Sequence, residues 1–399
     1  AFCQNKITLE VMKYVALVGI GLLSGCGWVQ TMLRPKPNVV VIMVDTLRAD
    51  RLSPYGHTSD TTPNLSRYAA DGAVFERAYA HSGWTLPSTV SMLTGLYPHE
   101  HRVGRAPDSP SEFGSLPDDR DTLAEIFQRA EYSTMAVVNN TFLAPDFGLD
   151  QGFDDFDYRG ADNQDIRSAK ESTVTALGWW GRTDGPKMLF WHVMEPHMDL
   201  LPPDGARGHF IQSPSVDVPF DFKQGYSITK QLPKDRDPQQ IQDVLSLYDE
   251  EVYAVDQALA QLVDGIGMDN TIFVLTSDHG EEFWEHNDFE HGHHLKSVLT
   301  HIPLTFWGVG ITSGLRESEL VSHVDMFRTI VDLAGLEVGP ESHGEYLFSD
   351  TLSSGRMVIS ENTLYGDPLL SVVSATHRLE MNQDSKMAAL WAMNEQGYE

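Results

Sequence analysis

The sequence predicts one large α/β domain with a small appendage. Its 399 residues, of which 41% are hydrophobic and 21% charged, are enough to bury a large core. Apolar runs of strand length alternate with helical patterns, as in a parallel sheet covered by helices. Polar residues follow several of these strands, and open α/β sheets bind their ligands at that edge. The carboxyl edge of the sheet is therefore the expected functional site.

The chain is strongly acidic, with a formal net charge of -29 at pH 7. Nucleic acid and anionic membrane surfaces are therefore excluded as partners for most of the surface, because like charges repel. An anionic substrate would need a local positive centre.

The N-terminal segment 1–26 is similar to a bacterial lipoprotein signal. Lys13 precedes a short apolar run, 14–23, and small residues then lead to a lone cysteine, Cys26. The run is too short to span a bilayer. We expect a start at Met12 and lipidation of Cys26; a signal cut elsewhere or a poor membrane anchor are the alternatives.

This interpretation makes the protein an exported lipoprotein of the bacterial cell envelope, facing the periplasm or the cell surface. The membrane is then a partner only through the lipid anchor. Residues 27–37 form a tether, with prolines near its end. Cleavage removes Cys3, so we expect neither a disulfide framework nor a thiol metal site.

The first buried strand is predicted at Asn38–Val44, a continuous apolar run rich in β-branched residues. Asp45 follows at its carboxyl end. A carboxylate beside an apolar strand is costly without a cation or hydrogen-bond donors, although capping of a turn or helix is the alternative role.

The stretch 84–95 predicts a helix that carries a nucleophile. Pro87 suits a first helical turn and Gly95 suits a left-handed terminating residue. Thr85 then lies at the positive end of the helix, where an alkoxide and an anionic substrate are both favoured. The alternative is that Thr85 only starts the helix.

The remaining pattern continues the alternation of helices and strands. We predict further helices at 62–72, from Thr122, at 165–180 and at 239–265, and further strands at 134–138, 188–193, 271–275 and 303–307. The polar loop 97–117 and an ordered insertion at 200–238 are expected to form the rim of the site.

A divalent-metal site is predicted where the strand 271–275 ends. Asp278 and His279 follow this strand as Asp45 follows the first one, so two carboxylates and an imidazole meet near Thr85. The His-rich loop 285–294 comes next, and one or more of its histidines is expected to contact substrate or metal.

Five motifs of the chain resemble sulfatases of the alkaline phosphatase superfamily in order and spacing. They are Val44-Asp45-Thr46-Leu47-Arg48-Ala49-Asp50, Thr62-Pro63-Asn64-Leu65, Thr85-Leu86-Pro87-Ser88, Glu195-Pro196-His197 and Thr276-Ser277-Asp278-His279-Gly280-Glu281. The resemblance covers nearly all of the chain after the tether.

This resemblance implies an alkaline phosphatase-like fold, in which a mixed, mostly parallel sheet lies between helices. Residues 38–335 would form the catalytic domain and 336–399 a small C-terminal α+β subdomain, cut short at Glu399. By position, the metal ligands would be Asp45, Thr85, Asp278 and His279.

The resemblance also implies residues that contact the substrate. Thr85 would be the nucleophile, and His197 with one of His291 or His293 would contact the ester oxygens. His197 or His293 would protonate the leaving oxygen, so the expected catalytic residues are Thr85, His197 and His293.

Two departures from the usual sulfatase pattern bear on the chemistry. Thr85 stands where Cys or Ser is converted to formylglycine, and threonine cannot give that aldehyde because its β-carbon already carries a methyl group. Thr46 stands where many sulfatases have another metal-binding Asp. We expect no formylglycine and one divalent ion, with Mn²⁺ or Zn²⁺ favoured over Ca²⁺.

These residues predict a metal-dependent hydrolase of phosphate, phosphonate or sulfate esters, acting on a small-molecule, glycan or lipid ester. A threonine ester must be displaced at the heteroatom, which phosphorus accepts more readily than sulfur. The alternatives are a phosphoryl-group transferase of the envelope and a non-catalytic lipoprotein that binds an anion or glycan.

Overall fold

One eight-stranded sheet passes through the protein and carries the candidate site at its carboxyl edge. The structure, a computed structural model, describes residues 35–106, 109–160, 167–231, 233–349 and 352–399. The predicted export signal, the lipidation site Cys26 and most of the 27–37 tether lie outside these residues. Residues 37–399 form one unit.

The described strands form one main sheet and several small ones. They are, in chain order, β1 (Asn38–Val44), β2 (Ala73–Phe75), β3 (Ala78–Tyr79), β4 (Arg105–Ala106), β5 (Ser109–Phe113), β6 (Ser133–Val138), β7 (Asp155–Tyr158), β8 (Lys187–Val193), β9 (Thr271–Thr276), β10 (Glu282–Phe283), β11 (Phe289–Glu290), β12 (His301–Ile302), β13 (Leu304–Gly308), β14 (Leu315–Glu317), β15 (Val321–Ser322), β16 (Val358–Glu361), β17 (Leu369–Val373), β18 (His377–Asn382) and β19 (Ala388–Ala392).

The main sheet has the order β14-β2-β13-β9-β1-β8-β6-β7. Only β13 runs against the other strands of this sheet. The predicted mixed, mostly parallel sheet is thereby confirmed. Since β1 pairs in parallel with β8 and β9, the carboxyl ends of all three strands meet at one edge.

Strand β1 is buried on both faces, as its apolar sequence predicts. Alternate residues enter two different cores: Val39, Val41 and Met43 face one, and Val40, Ile42 and Val44 face the other. Side chains of a strand point alternately to the two faces of the sheet, so both faces must be covered by other elements.

Helices provide that cover. The described helices are α1 (Pro63–Ala70), α2 (Thr85–Thr94), α3 (Pro98–His101), α4 (Leu123–Arg129), α5 (Ala169–Arg182), α6 (Phe222–Thr229), α7 (Pro238–Ile266), α8 (Ser297–Thr300) and α9 (His323–Leu333). Helices α2, α4 and α9 contribute to one core, and α5 and α7 to the other.

The predicted helix at 165–180 begins later than expected. The Ser168 hydroxyl accepts from the Glu171 amide, and the Glu171 carboxylate accepts from the Ser168 amide, so this capping box starts α5 at Ala169. Residues 165 and 166 lie outside the described part of the chain. The other predicted helices and strands are confirmed to within a few residues at each end.

The C-terminal strands β16 to β19 form an antiparallel sheet, and the described residues after 335 include no helix. This sheet supports the segment that leads into α2. The Asn362 carbonyl accepts hydrogen bonds from Trp84 Nε1 and Ser82 Oγ, each at 2.7 Å, and the Glu361 amide donates to the His81 carbonyl at 2.8 Å.

The described part of the predicted insertion at 200–238 includes local secondary structure. Leu200 and Phe220 exchange two backbone hydrogen bonds, and α6 follows them. None of the helices in the described ranges combines the length and the apolar character that crossing a bilayer requires.

Gly95 terminates α2 in the left-handed conformation, with φ 69°, and a Cβ added there would lie 2.5 Å from Phe327 Cδ1. Gly95→Ala should lower the free energy of unfolding in urea by about 2 to 4 kcal/mol, because a backbone penalty and overpacking add. Gly335 has φ 71° but no atom within 4 Å of such a Cβ. Gly335→Ala should therefore lower the free energy of unfolding by only about 1 to 2 kcal/mol. Equal losses in the two variants would show that the Phe327 contact does not add to the cost at residue 95.

Candidate active site

The carboxyl ends of two neighbouring strands and the N-terminus of α2 converge on one buried cluster. Asp45 follows β1, and Asp278 and His279 follow β9. Thr85 is the first residue of α2. Asp45, Asp278 and His279 have no exposed surface, and Thr85 is 1% exposed.

His279 Nε2 lies at the centre of this cluster. It is 3.3 Å from Asp278 Oδ2, 3.3 Å from Thr85 Oγ1 and 3.8 Å from Asp45 Oδ1. One atom each from Asp45, Asp278 and His279 lie within 4.8 Å of one another. The structure thus brings together the four residues that the sequence predicts as metal ligands.

The hydrogen bonds of His279 show that its imidazole is uncharged, so this side chain supplies no positive charge to the two carboxylates. His279 Nδ1 lies 2.8 Å from the Gly280 carbonyl and must donate to it, so His279 Nε2 presents a lone pair. Burial lowers the pKa of His279 to about 3, which keeps the ring neutral. Asp45 Oδ1 and Asp278 Oδ2 are buried without hydrogen-bond partners. Two carboxylate oxygens facing an imidazole lone pair fit a divalent cation.

The two carboxylates differ in what surrounds them. Burial raises the pKa of Asp45, but the hydrogen bond with His192 and the nearby His197 outweigh it, so the pKa lies below its usual value. Burial and the Asp45 charge raise the pKa of Asp278 well above its usual value, because they outweigh the hydrogen bonds that its Oδ1 accepts from the His279 and Thr46 amides.

Two residues of this site were not predicted from the sequence. Asn140 Nδ2 donates to Asp45 Oδ2 at 2.6 Å and lies 3.5 Å from Thr85 Oγ1. His192 Nδ1 accepts from the Asn139 amide, so its Nε2 proton donates to Asp45 Oδ2 at 3.2 Å. Asn140 comes just after β6, as Asp45 comes just after β1, and this placement was the signal that could have found it.

The loop after β1 is fixed by a buried tyrosine. The Tyr248 hydroxyl donates to the Thr46 carbonyl at 2.8 Å and accepts from the Arg48 amide at 2.9 Å. Thr46 has φ 54°, and its amide donates to Asp278 Oδ1 at 3.3 Å. Backbone geometry therefore links the strand ends that carry the two carboxylates.

Two of the predicted histidines flank the cluster on its partly exposed side. The ring centroid of His291 is 4.5 Å from that of His279 and 5.0 Å from that of His197. His291 Nδ1 lies 2.9 Å from Glu281 Oε1, and His197 Nδ1 donates to the Met198 carbonyl at 2.6 Å. Burial raises the pKa of Glu281 to about 8.

His293 makes different contacts. Its Nε2 lies 3.1 Å from Glu282 Oε2 and 3.7 Å from Asp288 Oδ2. Of the two alternatives left open by the sequence, His291 is the one with ring contacts to the cluster. The predicted roles of His293 in catalysis and substrate binding stay predictions that these contacts do not favour.

The fold and the cluster together define a class: an α/β protein whose sheet carries buried carboxylates and an imidazole that could hold a metal ion. The model of the sulfatase family matches residues 37–336. This match covers most of the chain, and the protein therefore belongs to the sulfatase family.

Known relatives agree with this assignment. Arylsulfatase K of Xenopus laevis is 24% identical over 370 residues, which cover 80% of this chain and 67% of that protein. N-acetylglucosamine-6-O-sulfatase of Bacteroides thetaiotaomicron is 24% identical over 82% of this chain and 72% of its own length.

Solved structures share the fold. A 2-O GAG sulfatase superposes with a TM-score of 0.73 at 19% identity, covering 91% of this chain and 87% of that chain. A phosphonate monoester hydrolase of Agrobacterium radiobacter superposes with a TM-score of 0.68 at 18% identity, covering 89% of each chain. At these identities the likeness shows the fold alone.

Replacing one of the two facing carboxylates should abolish ion binding and leave the protein folded. Mn²⁺ at a hundredfold excess over its Kd should stabilise the wild type by about 2.7 kcal/mol, seen as a rise in Tm. Asp278→Asn should raise the Tm of the metal-free protein, because repulsion from Asp45 is relieved, and should abolish the rise with Mn²⁺.

The matched control is Asp269→Asn, which removes a charge from an exposed residue. It should keep the full response to Mn²⁺. A Mn²⁺-dependent rise in Tm that persists in Asp278→Asn would rule out this residue as a ligand.

Proposed function

We propose that the protein is a metal-dependent hydrolase of phosphate or phosphonate esters in which Thr85 is the nucleophile. The observation that carries this proposal is the placement of Thr85 Oγ1, 3.3 Å from His279 Nε2 in a cluster whose two carboxylate oxygens lack partners. A hydroxyl next to a cation site is positioned to be activated as a nucleophile, and this role explains the place of Thr85 better than capping of the helix does.

Asp45, Asp278, His279 and Thr85 would hold the ion. The unpartnered Asp45 Oδ1 and Asp278 Oδ2 and the lone pair of His279 Nε2 are the donors that favour one small divalent ion, with Mn²⁺ and Zn²⁺ ahead of Ca²⁺. When bound, it would supply positive charge that lowers the pKa of the Thr85 hydroxyl and neutralises the ester oxygens.

The helix and Asn140 orient the nucleophile. The first backbone N–H groups of α2 have no intrahelical partner, and they favour negative charge on Thr85 and on the ester. Asn140 Nδ2, 3.5 Å from Thr85 Oγ1, provides a further donor beside the reacting oxygen. Burial of Thr85 excludes bulk water from its hydroxyl.

The reaction would proceed by two displacements at phosphorus. Thr85 Oγ gives up its proton to water and forms a bond to phosphorus while the bond to the leaving oxygen breaks, and that oxygen takes a proton from a histidine. Water then attacks the phosphorus and returns a proton to that histidine. The bond to Thr85 Oγ breaks, phosphate or phosphonate is released, and Thr85 Oγ takes up a proton again. His197 and His291 lie beside the cluster, so we assign proton donation to one of them.

Glu281 would act on His291 as a positioning residue. Its Oε1 lies 2.9 Å from His291 Nδ1, and this hydrogen bond fixes the orientation of the ring and leaves Nε2 as the nitrogen that can exchange a proton with the substrate. His197 is oriented in the same manner by the Met198 carbonyl.

The preference for phosphorus over sulfur follows from the side chain of residue 85. Threonine cannot be converted to the formylglycine aldehyde, and its ester must be displaced at the heteroatom. Because a phosphonate monoester hydrolase shares this fold, the fold is compatible with chemistry at phosphorus. Sulfate esters are the close competitor, since the curated relatives are named as sulfatases. Action as a lipoprotein of the cell envelope stays part of the proposal.

The nucleophile is tested by kcat/KM on matched aryl phosphate, phosphonate and sulfate esters with the Mn²⁺-loaded enzyme. Thr85→Ala should lower kcat/KM on the phosphorus esters by about three orders of magnitude or more, while Thr85→Ser keeps part of it. Thr94→Val, which changes a hydroxyl at the far end of α2, should match the wild type. Full activity of Thr85→Ala would refute the proposal, and threonine-dependent turnover of sulfate alone would refute the preference for phosphorus.

The proton donor is tested by varying the leaving alcohol. If His291 donates the proton, His291→Gln should lower kcat/KM about a hundredfold for an alkyl ester and much less for a nitrophenyl ester, which needs no proton. His197→Gln should show that pattern if His197 is the donor. His293→Gln should change both esters by the same factor. Unchanged dependence on the leaving group in both His291→Gln and His197→Gln would exclude both residues as the acid.

A further inference from the structure

We propose that Glu282, His286, His293 and His294 form a second metal site, selective for a nitrogen-preferring ion such as Zn²⁺. Glu282 is the first residue of β10, and the three histidines lie between β10 and α8. None of the four is among the ligands assigned to the Asp45 cluster. The proposal does not depend on the proposed function, because it concerns a different set of side chains.

Three imidazoles converge on one fully buried carboxylate. Glu282 Oε2 lies 3.1 Å from His293 Nε2, 2.5 Å from His294 Nε2 and 4.0 Å from His286 Nδ1. Ligand atoms of Glu282, His286 and His294 all lie within 4.8 Å of one another. Neighbouring ligands in a tetrahedral zinc site are about 3.3 Å apart, so small side-chain movements suffice to enclose an ion.

In this cluster Glu282 Oε1 is hydrogen-bonded, whereas one nitrogen of His286 is not. Glu282 Oε1 accepts the backbone amides of His286 and Asp288 at 2.7 and 3.0 Å, which fixes the carboxylate. His286 Nδ1 is buried without a hydrogen-bond partner. An unpaired buried nitrogen destabilises the fold, and a cation beside Glu282 Oε2 would satisfy it.

Outer contacts suit one of the imidazoles, His293, and oppose another, His294. His293 is hydrogen-bonded to the backbone of His291, the usual way in which a ligating imidazole is oriented. His294 Nδ1 instead lies 3.3 Å from the Lys296 amide, and this contact must be given up when His294 Nε2 binds an ion. Three nitrogens and one oxygen favour Zn²⁺ over Mn²⁺, whereas the Asp45 cluster is richer in oxygen.

The backbone of the loop supplies an independent reason for a stabilising ion. Trp284, Asn287 and Glu290 have φ of 70°, 70° and 68°, which is costly for residues other than glycine. Such conformations persist only where the surroundings hold them. Because His291 follows Glu290 directly, an ion in this loop would also hold His291 beside His279.

The stoichiometry of Zn²⁺ and Co²⁺ tests the site. The full chain should bind two equivalents, and the second should give a visible Co²⁺ spectrum of a tetrahedral nitrogen-rich site. His286→Ala should raise the Kd of this second site at least about tenfold and leave the first site intact. Asp278→Asn should lose only the first site.

The chain offers a variant at His286 and a matched control at His377. Among the described residues His286 Nδ1 has no hydrogen-bond partner, so His286→Ala removes no hydrogen bond of this nitrogen. Circular dichroism checks the fold. His377→Ala, which changes an exposed histidine of β18, should keep both sites. One equivalent of Zn²⁺ in the wild type, or two undiminished equivalents in His286→Ala, would overturn the proposal.

Discussion

The burial of two facing carboxylates is the constraint on which the rest of the site depends. Asp45 and Asp278 end neighbouring parallel strands without any exposed surface. Each has one oxygen held by donors, Asp45 by Asn140 and His192, and Asp278 by backbone amides. The remaining oxygens face a lone pair of His279. Such an arrangement is costly unless a cation compensates it.

The fold brings distant parts of the chain to this point and holds them there. The parallel pairing of β1 with β8 and β9 aligns the strand ends, and the packing of α2 places Thr85 against them. The C-terminal sheet anchors the segment before α2 through the Asn362 carbonyl. Membership of the sulfatase family explains why this framework is shared with proteins of low identity. The threonine at residue 85 is what directs the proposed chemistry towards phosphorus.

The sequence predicts those parts of the site that follow local rules. Asp45 and Asp278 could be placed because polar residues after buried parallel strands meet at one edge, and Gly95 because a helix end favours glycine. The same rule marks Asn140, which comes just after β6, but its contact with Asp45 depends on the order β1-β8-β6 across the sheet, which the sequence does not give. The choice between His291 and His293 depends on the path of the loop, which has a left-handed residue at Glu290 directly before His291 and which no sequence pattern indicates.

The most direct test of the central claim is anomalous X-ray diffraction from crystals grown with Mn²⁺. The account predicts one strong anomalous peak bounded by Asp45 Oδ1, Asp278 Oδ2 and His279 Nε2, next to an unmodified threonine at residue 85. Absence of a peak among these atoms in Mn²⁺-saturated crystals would contradict the account, as would density for an altered side chain at Thr85.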